Sequence, residues 1–151
     1  MSRKLIGCFC ALFLLISLSL VSVAWAADPF VGTWALDVEK TRQSLKYVPE
    51  WWTLKCEPFG AGYKITSKSV GFNQVMTIDF KEGETAVRDE HGKEVDRQRS
   101  VRKSPVEIET TSLKTGQITN WKIQPSGEIE VNIQHPKGAM PPIKMYFKRV
   151  S

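Results

Sequence analysis

The chain has 151 residues, with 21 basic against 16 acidic side chains and 42% apolar residues. That length suits a single domain with a modest core. Two histidines and three cysteines, none at metal-ligand spacing, argue against a metal centre, and the small positive balance gives weak support for the concentrated basic footprint that nucleic-acid binding needs.

In chain order, the first feature is a leader. Arg3 and Lys4 precede an uncharged stretch from Leu5 to Ala27, whose centre, Ala11-Leu12-Phe13-Leu14-Leu15-Ile16, is strongly apolar, and Ala24-Trp25-Ala26 follows. This is the charged, apolar, small-x-small order of a secretory signal, and it predicts cleavage after Ala26, with residues 1–26 as signal and 27–151 as the domain. The rival is an uncleaved anchor, since a spanning helix needs about 20 apolar residues; Ser17, Ser19 and Ser22 weaken the second half for that purpose. Leu5-Ile6-Gly7-Cys8 has the form of a lipoprotein box but precedes the apolar core, so a lipidated Cys8 would have almost no signal in front of it. Cleavage removes Cys8, Cys10, Trp25 and two positive charges, leaving 19 basic against 16 acidic residues, a net charge of +3. The expected location is secreted or periplasmic, with no membrane span after cleavage. Cys56 then has no cysteine in its own chain to pair with, so either it is buried as a small apolar residue or it pairs between chains.

Beyond the signal, short alternating segments recur between Gly, Pro, Asn or charged clusters, as in all-β sandwiches and barrels. The expected strands are Phe30–Asp37, Glu50–Glu57, Gly62–Lys68, Gln74–Phe80, Glu84–Asp89, Glu94–Arg102, Val106–Ser112, Gln117–Ile123, Glu128–Gln134 and Ile143–Val150. Glycines at 60, 62, 83, 92, 116 and 127 fall where hairpins often require positive φ. One short helix is expected over Glu39–Leu45, and an irregular loop from His135 to Pro142. Successive hairpins make an antiparallel up-and-down meander, which hides its edges best by closing into a barrel of about 8–10 strands. Alternation places Phe30, Gly32, Trp34 and Leu36 on one face, Trp52, Leu54 and Cys56 on another, Phe72, Gln74, Met76, Ile78 and Phe80 on a third, and Ile129, Val131 and Ile133 on a fourth.

Asp28-Pro29-Phe30-Val31-Gly32-Thr33-Trp34 follows the cleavage site. It resembles the first-strand Gly-x-Trp signature of the lipocalins and fatty-acid-binding proteins, the calycin superfamily, and resembles still more the opening of small secreted bacterial lipocalin-like proteins. The resemblance is sharp over these seven residues; beyond them it rests on the meander and on the closing strand Tyr146-Phe147-Lys148-Arg149-Val150. It implies structural roles for Gly32 and Trp34, with Trp34 plugging the closed end of the barrel, and an interior for one small apolar or amphipathic molecule, which a barrel of about eight strands can just hold. Fatty-acid-binding proteins insert a two-helix lid after the first strand. Val38–Pro49 is too short for two helices, so any lid is reduced and the architecture leans toward the lipocalin side or an intermediate. The alternative is an unrelated β-sandwich whose first strand happens to read Gly-Thr-Trp.

Candidate ligand contacts divide by charge. The Arg-x-Tyr that captures a carboxylate in the fatty-acid-binding branch corresponds here to Lys144-Met145-Tyr146, but Ile143, Met145 and Phe147 form the apolar face of that strand, so Lys144 and Tyr146 face either the ligand or solvent. Arg97 and Arg99 share a face with Val95 and Val101; turned inward they need an anion, and turned outward they form a solvated face. Trp52 and Trp121 are expected inside, and Trp51 on the outer face or at the mouth, where it meets a ligand or a partner. No convergent catalytic group, metal site or cofactor motif is present in the sequence. The expected function is an exported, non-enzymatic binding protein for a small apolar or amphipathic ligand. The alternative is a packed barrel without a cavity, presenting Trp51 or the Pro-rich loop to an envelope protein.

Overall fold

The computed structural model describes residues 27–136 and 140–151. The expected signal segment, including Cys8 and Cys10, lies outside the described residues, as does the middle of the Pro-rich loop. Ten antiparallel strands form one closed barrel: β1 (Gly32–Leu36), β2 (Trp52–Phe59), β3 (Gly62–Ser69), β4 (Phe72–Asp79), β5 (Glu84–Asp89), β6 (Glu94–Ser104), β7 (Glu107–Ser112), β8 (Ile118–Ile123), β9 (Ile129–Gln134) and β10 (Ile143–Arg149). Each strand pairs with its sequence neighbours, and β1 closes the ring by pairing with both β2 and β10. All ten expected strands are present, with ends shifted by a few residues. Ser69 and Phe72 prove to be strand ends, so β3 and β4 meet through a tight Val70-Gly71 turn.

β1 is short, and this decides where the helix goes. It stops pairing at Leu36, opposite Phe147, and leaves the edge of β10 from Ile143 to Tyr146 without a strand partner. Helix α1 (Val38–Arg42) covers that edge. Asp37 caps its N-terminus, the side chain accepting from the Lys40 N–H at 3.1 Å. Thr41, fully buried, accepts from the Tyr146 N–H at 3.0 Å, and Ser44 donates to the Lys144 carbonyl at 2.8 Å. A backbone edge that would otherwise invite strand addition is satisfied by side chains. One helix of five residues fits the short β1–β2 connection. Among the described residues no helix is long and apolar enough to cross a membrane.

The β1 end of the barrel is closed by Trp34, which is 0% exposed. Its indole N–H donates to the Phe30 carbonyl at 3.0 Å, and the Arg149 guanidinium lies 4.3 Å from its ring centre while donating to the carbonyls of Val31 and Pro29, each at 2.6 Å. Gly32 makes this possible. Its φ is +144°, and a Cβ there would stand 2.4 Å from an Arg149 nitrogen and 2.8 Å from the Ser151 carbonyl. Phe30, Cys56, Tyr63, Ile78, Ile108 and Ile129 pack with Trp34.

Replacing Trp34 with Ala is expected to lower unfolding free energy by about 3–5 kcal/mol, and Gly32→Val to cost a comparable amount through backbone strain and the clash with Arg149. Urea unfolding checks both; a loss under about 1 kcal/mol for Trp34→Ala, the level of an ordinary substitution, would show that the plug is dispensable.

Candidate functional site

The interior divides into two unlike halves. Around the plug, side chains fill the barrel and leave a void of about 10 Å³, the lower limit of what one water needs. Toward the other end, where α1 and the β3–β4, β5–β6 and β7–β8 turns stand, the barrel holds a cavity of about 490 Å³. That is within the range of small-molecule sites. The cavity exists because the inward residues change in kind along the barrel: bulky at the plug, then a mixture that does not meet across the middle.

The cavity wall is amphipathic. On one side, β2, β3, β4, β9 and β10 contribute Trp52, Ile65, Phe72, Met76, Ile133 and Phe147. Trp52 anchors this side, donating from its indole to Ser67 at 2.7 Å and meeting Phe72 and Phe147 edge-on with ring centres 5.5 and 6.0 Å away. On the other side, the adjacent strands β6, β7 and β8 contribute Gln98, Thr110, Ser112 and Thr119, with Trp121 beside them. The Trp121 indole donates to Thr110 at 3.4 Å. Strand register puts these polar residues in rows: Ser100 opposite Thr110 and Thr110 opposite Thr119, with Gln98 opposite Ser112 one step nearer the mouth.

The six contacts expected from sequence separate cleanly. Trp52 and Trp121 line the cavity together. Arg97, Arg99, Lys144 and Tyr146 do not converge there; all four stand on the outer surface. Arg97 pairs with Glu94 at 2.9 Å, Arg99 with Glu84 at 2.8 Å, and Lys144 lies 3.6 Å from Glu130. Tyr146 lies beneath the Lys40 ammonium, 4.4 Å from its ring centre. For β6 the physical reason is that the usual sign of the alternation is inverted. Val101 is 45% exposed, while Gln98 and Ser100 are buried, because the wall of a cavity tolerates polar side chains that a packed core does not. The β5–β6 register slips between Val87 and Arg88, and both Val95 and Asp96 border the mouth. Trp51 is half exposed beside a surface hollow that it shares with Phe72 and His91.

One polar arrangement at the plugged end had no clear sequence signal. Arg102, at the inner end of β6, donates to the Tyr63 hydroxyl at 2.6 Å and to Asp28 at 3.1 Å, and Tyr63 in turn donates to Asp28 at 2.5 Å. The guanidinium also lies between 5.7 and 5.9 Å from the ring centres of Phe30, Tyr63 and Phe80. Burial alone would raise the Asp28 carboxyl; hydrogen bonds from Tyr63, the Phe30 N–H and Arg102 outweigh it and hold the group below its ordinary value. Burial, reinforced by the bond to Asp28, pushes the Tyr63 phenol up. Cys56 is buried, and burial, with Asp28 nearby, pushes its thiol up to about 12, so it stays protonated near neutrality and serves as packing. Among the described residues no group of three or more His, Cys, Asp or Glu side chains is placed to hold a metal ion.

Comparison with solved structures places this barrel among calycin-type folds. The chain is similar to the fatty acid binding protein of Schistosoma mansoni in complex with arachidonic acid, at 15% identity and a TM-score of 0.60, over 82% of this chain and 97% of that one. It is also similar to the fluorescent protein UnaG, at 10% identity and a TM-score of 0.57, over 80% of this chain and 97% of that one. No family model and no curated protein matches the sequence. The likeness is one of fold.

A pH titration of stability tests the closed-end cluster. A carboxyl lowered in the fold stabilises it above the ordinary carboxylate value of about 3.9, and that contribution is lost as pH falls below it. Asp28→Asn is therefore expected to be clearly destabilised at neutral pH, with the gap to the parent shrinking toward about pH 3. A gap that stays constant across this range would contradict a charge-assisted Asp28 held by Tyr63 and Arg102.

Proposed function

We propose that this protein is an exported, non-enzymatic binding protein that carries or sequesters one small apolar or amphipathic molecule inside its barrel. The observation that carries the reading is the cavity of about 490 Å³ bounded by Trp52, Phe72, Met76, Trp121 and Phe147. Leaving that much apolar wall uncovered is unfavourable, and a ligand tail removes the penalty. The packed alternative asks for an interior filled from end to end, and this interior is filled only around Trp34. The fold likeness supports the reading further, since the Schistosoma mansoni protein was solved with arachidonic acid. Export rests on residues 1–26 alone, on their charged, apolar and small-x-small order, and it places the carrier in the periplasm or outside the cell, in the manner of small secreted bacterial lipocalin-like proteins.

Titration with the uncharged dye N-phenyl-1-naphthylamine is expected to raise dye fluorescence and quench the tryptophans. Ile133→Trp, which fills the cavity from β9, is expected to weaken dye binding by at least about tenfold, or about 1.4 kcal/mol, with little change in stability. Equal uptake by parent and Ile133→Trp would place the dye elsewhere and contradict the internal site. N-terminal sequencing of protein recovered from an exporting host is expected to begin at Ala27; a start at Met1 would replace the free carrier with a tethered one.

A further inference from the structure

The proposed cavity has a chemical preference written on its polar wall. Gln98 is 6% exposed and lines the cavity, yet its Nε2 is buried with no hydrogen-bond partner. Ser100, one inward position deeper on β6, is 4% exposed, and its hydroxyl is likewise unpartnered. Buried donors of this kind are ordinarily satisfied. Around them the wall is polar but uncharged: Thr110, Ser112 and Thr119 carry hydroxyls only. Charge appears at the mouth, as one cation and one carboxylate. Lys114 and Asp96 both border the opening; the Lys114 backbone N–H approaches the Asp96 carboxylate at 3.4 Å, and the Lys114 ammonium lies 3.4 Å from the Val95 carbonyl. The four cationic and phenolic groups that could have met an anion (Arg97, Arg99, Lys144 and Tyr146) stand outside, engaged with Glu94, Glu84, Glu130 and Lys40 respectively. Arg102 is inward but spent on Asp28 and Tyr63 beyond the filled half.

From this arrangement we infer that the cavity selects an uncharged amphipathic molecule carrying a carbonyl or hydroxyl oxygen, which accepts a hydrogen bond from the Gln98 amide, over an ionised carboxylate. The inference rests on the internal site proposed above and assigns its ligand class. A carboxylate taken in as deep as Gln98 would lose its hydration without meeting a cation there, since among the described residues Lys114, the cation that borders the cavity, stands at the mouth, a cost that normally excludes it. An ester, amide or alcohol needs one donor for its oxygen and apolar surface for its chain. Gln98, whose amide nitrogen lies just beneath the cavity surface and reaches it by a turn of the side chain, supplies the donor, and the wall from Trp52 to Phe147 supplies the surface. Amide N–H to carbonyl pairing also disfavours a plain hydrocarbon, which would leave Gln98 unpartnered.

The test is a matched dodecyl series, lauramide, methyl laurate, dodecanol, laurate and dodecane, measured by displacement of N-phenyl-1-naphthylamine at about pH 8, where a free carboxyl is ionised. The amide, ester and alcohol are expected to bind at least about tenfold more tightly than laurate. Gln98→Leu is expected to cost the amide and ester about tenfold and leave dodecane unchanged. Gln98→Arg supplies the missing cation and is expected to move preference toward laurate. Laurate binding as tightly as lauramide in the parent would overturn the inference while leaving an internal site intact, and undiminished amide binding by a folded Gln98→Leu would overturn the role of Gln98. Failure of the dye and every member of the series to bind would overturn the internal site itself, and the inference with it.

Discussion

Trp34 is the residue on which the rest of the barrel depends. Its indole occupies the centre of one end, held by the Phe30 carbonyl below and the Arg149 guanidinium above. The same contacts tie the first strand to the last: Arg149 is opposite Trp34 in the β1–β10 register and reaches back to the chain before β1. Closing a ten-strand ring leaves no free edge beyond the stretch of β10 that α1 covers, but it fixes an internal width that side chains must fill or leave empty. With a tryptophan, a phenylalanine and a tyrosine committed to one end, that end is solid. The opposite end keeps its width without the bulk to fill it.

The two ends therefore have different chemistry for one geometric reason. At the plugged end, polar groups are admitted only fully paired, as Arg102, Tyr63 and Asp28 are. In the open half, Gln98 borders the cavity and Ser100 lies behind it, and the Gln98 amide nitrogen and the Ser100 hydroxyl, both just beneath the wall, keep unused hydrogen-bonding capacity. Such capacity in a packed core would be a defect. On the wall of a binding cavity it is selectivity waiting for a partner.

Much of this was legible in the sequence. Gly-x-Trp, the spacing of the hairpin glycines and the strict alternation of β9 identify the barrel, its plugged end and the faces of most strands. The inward placement of Trp52 and Trp121 followed from alternation alone. β6 was harder to read. Its valines at 95 and 101 look like a core face and its Gln98 and Ser100 like a solvent face, and the barrel uses them the other way round at Val101. An apolar-inward rule assumes a filled interior, so it fails where the interior is a polar-lined cavity. The signal that could have corrected it lies across three strands: Gln98 and Ser100, Thr110 and Ser112, and Thr119 alternate in phase, and no single strand shows that they form one wall. The roles of Arg102 and Arg149 were likewise hidden, because each acts on aromatics far away in the chain.

The central claim is that one half of the interior is closed and the other accepts a ligand. Methyl NMR of the isotope-labelled protein titrated with dodecanol tests it most directly. Shifts confined to Ile65, Met76, Val131, Ile133 and Met145, with Ile78 and Ile108 at the plugged end unmoved, are the expected result. Shifts centred on outward residues such as Val101 or Val150, or spread evenly through both halves, would contradict it.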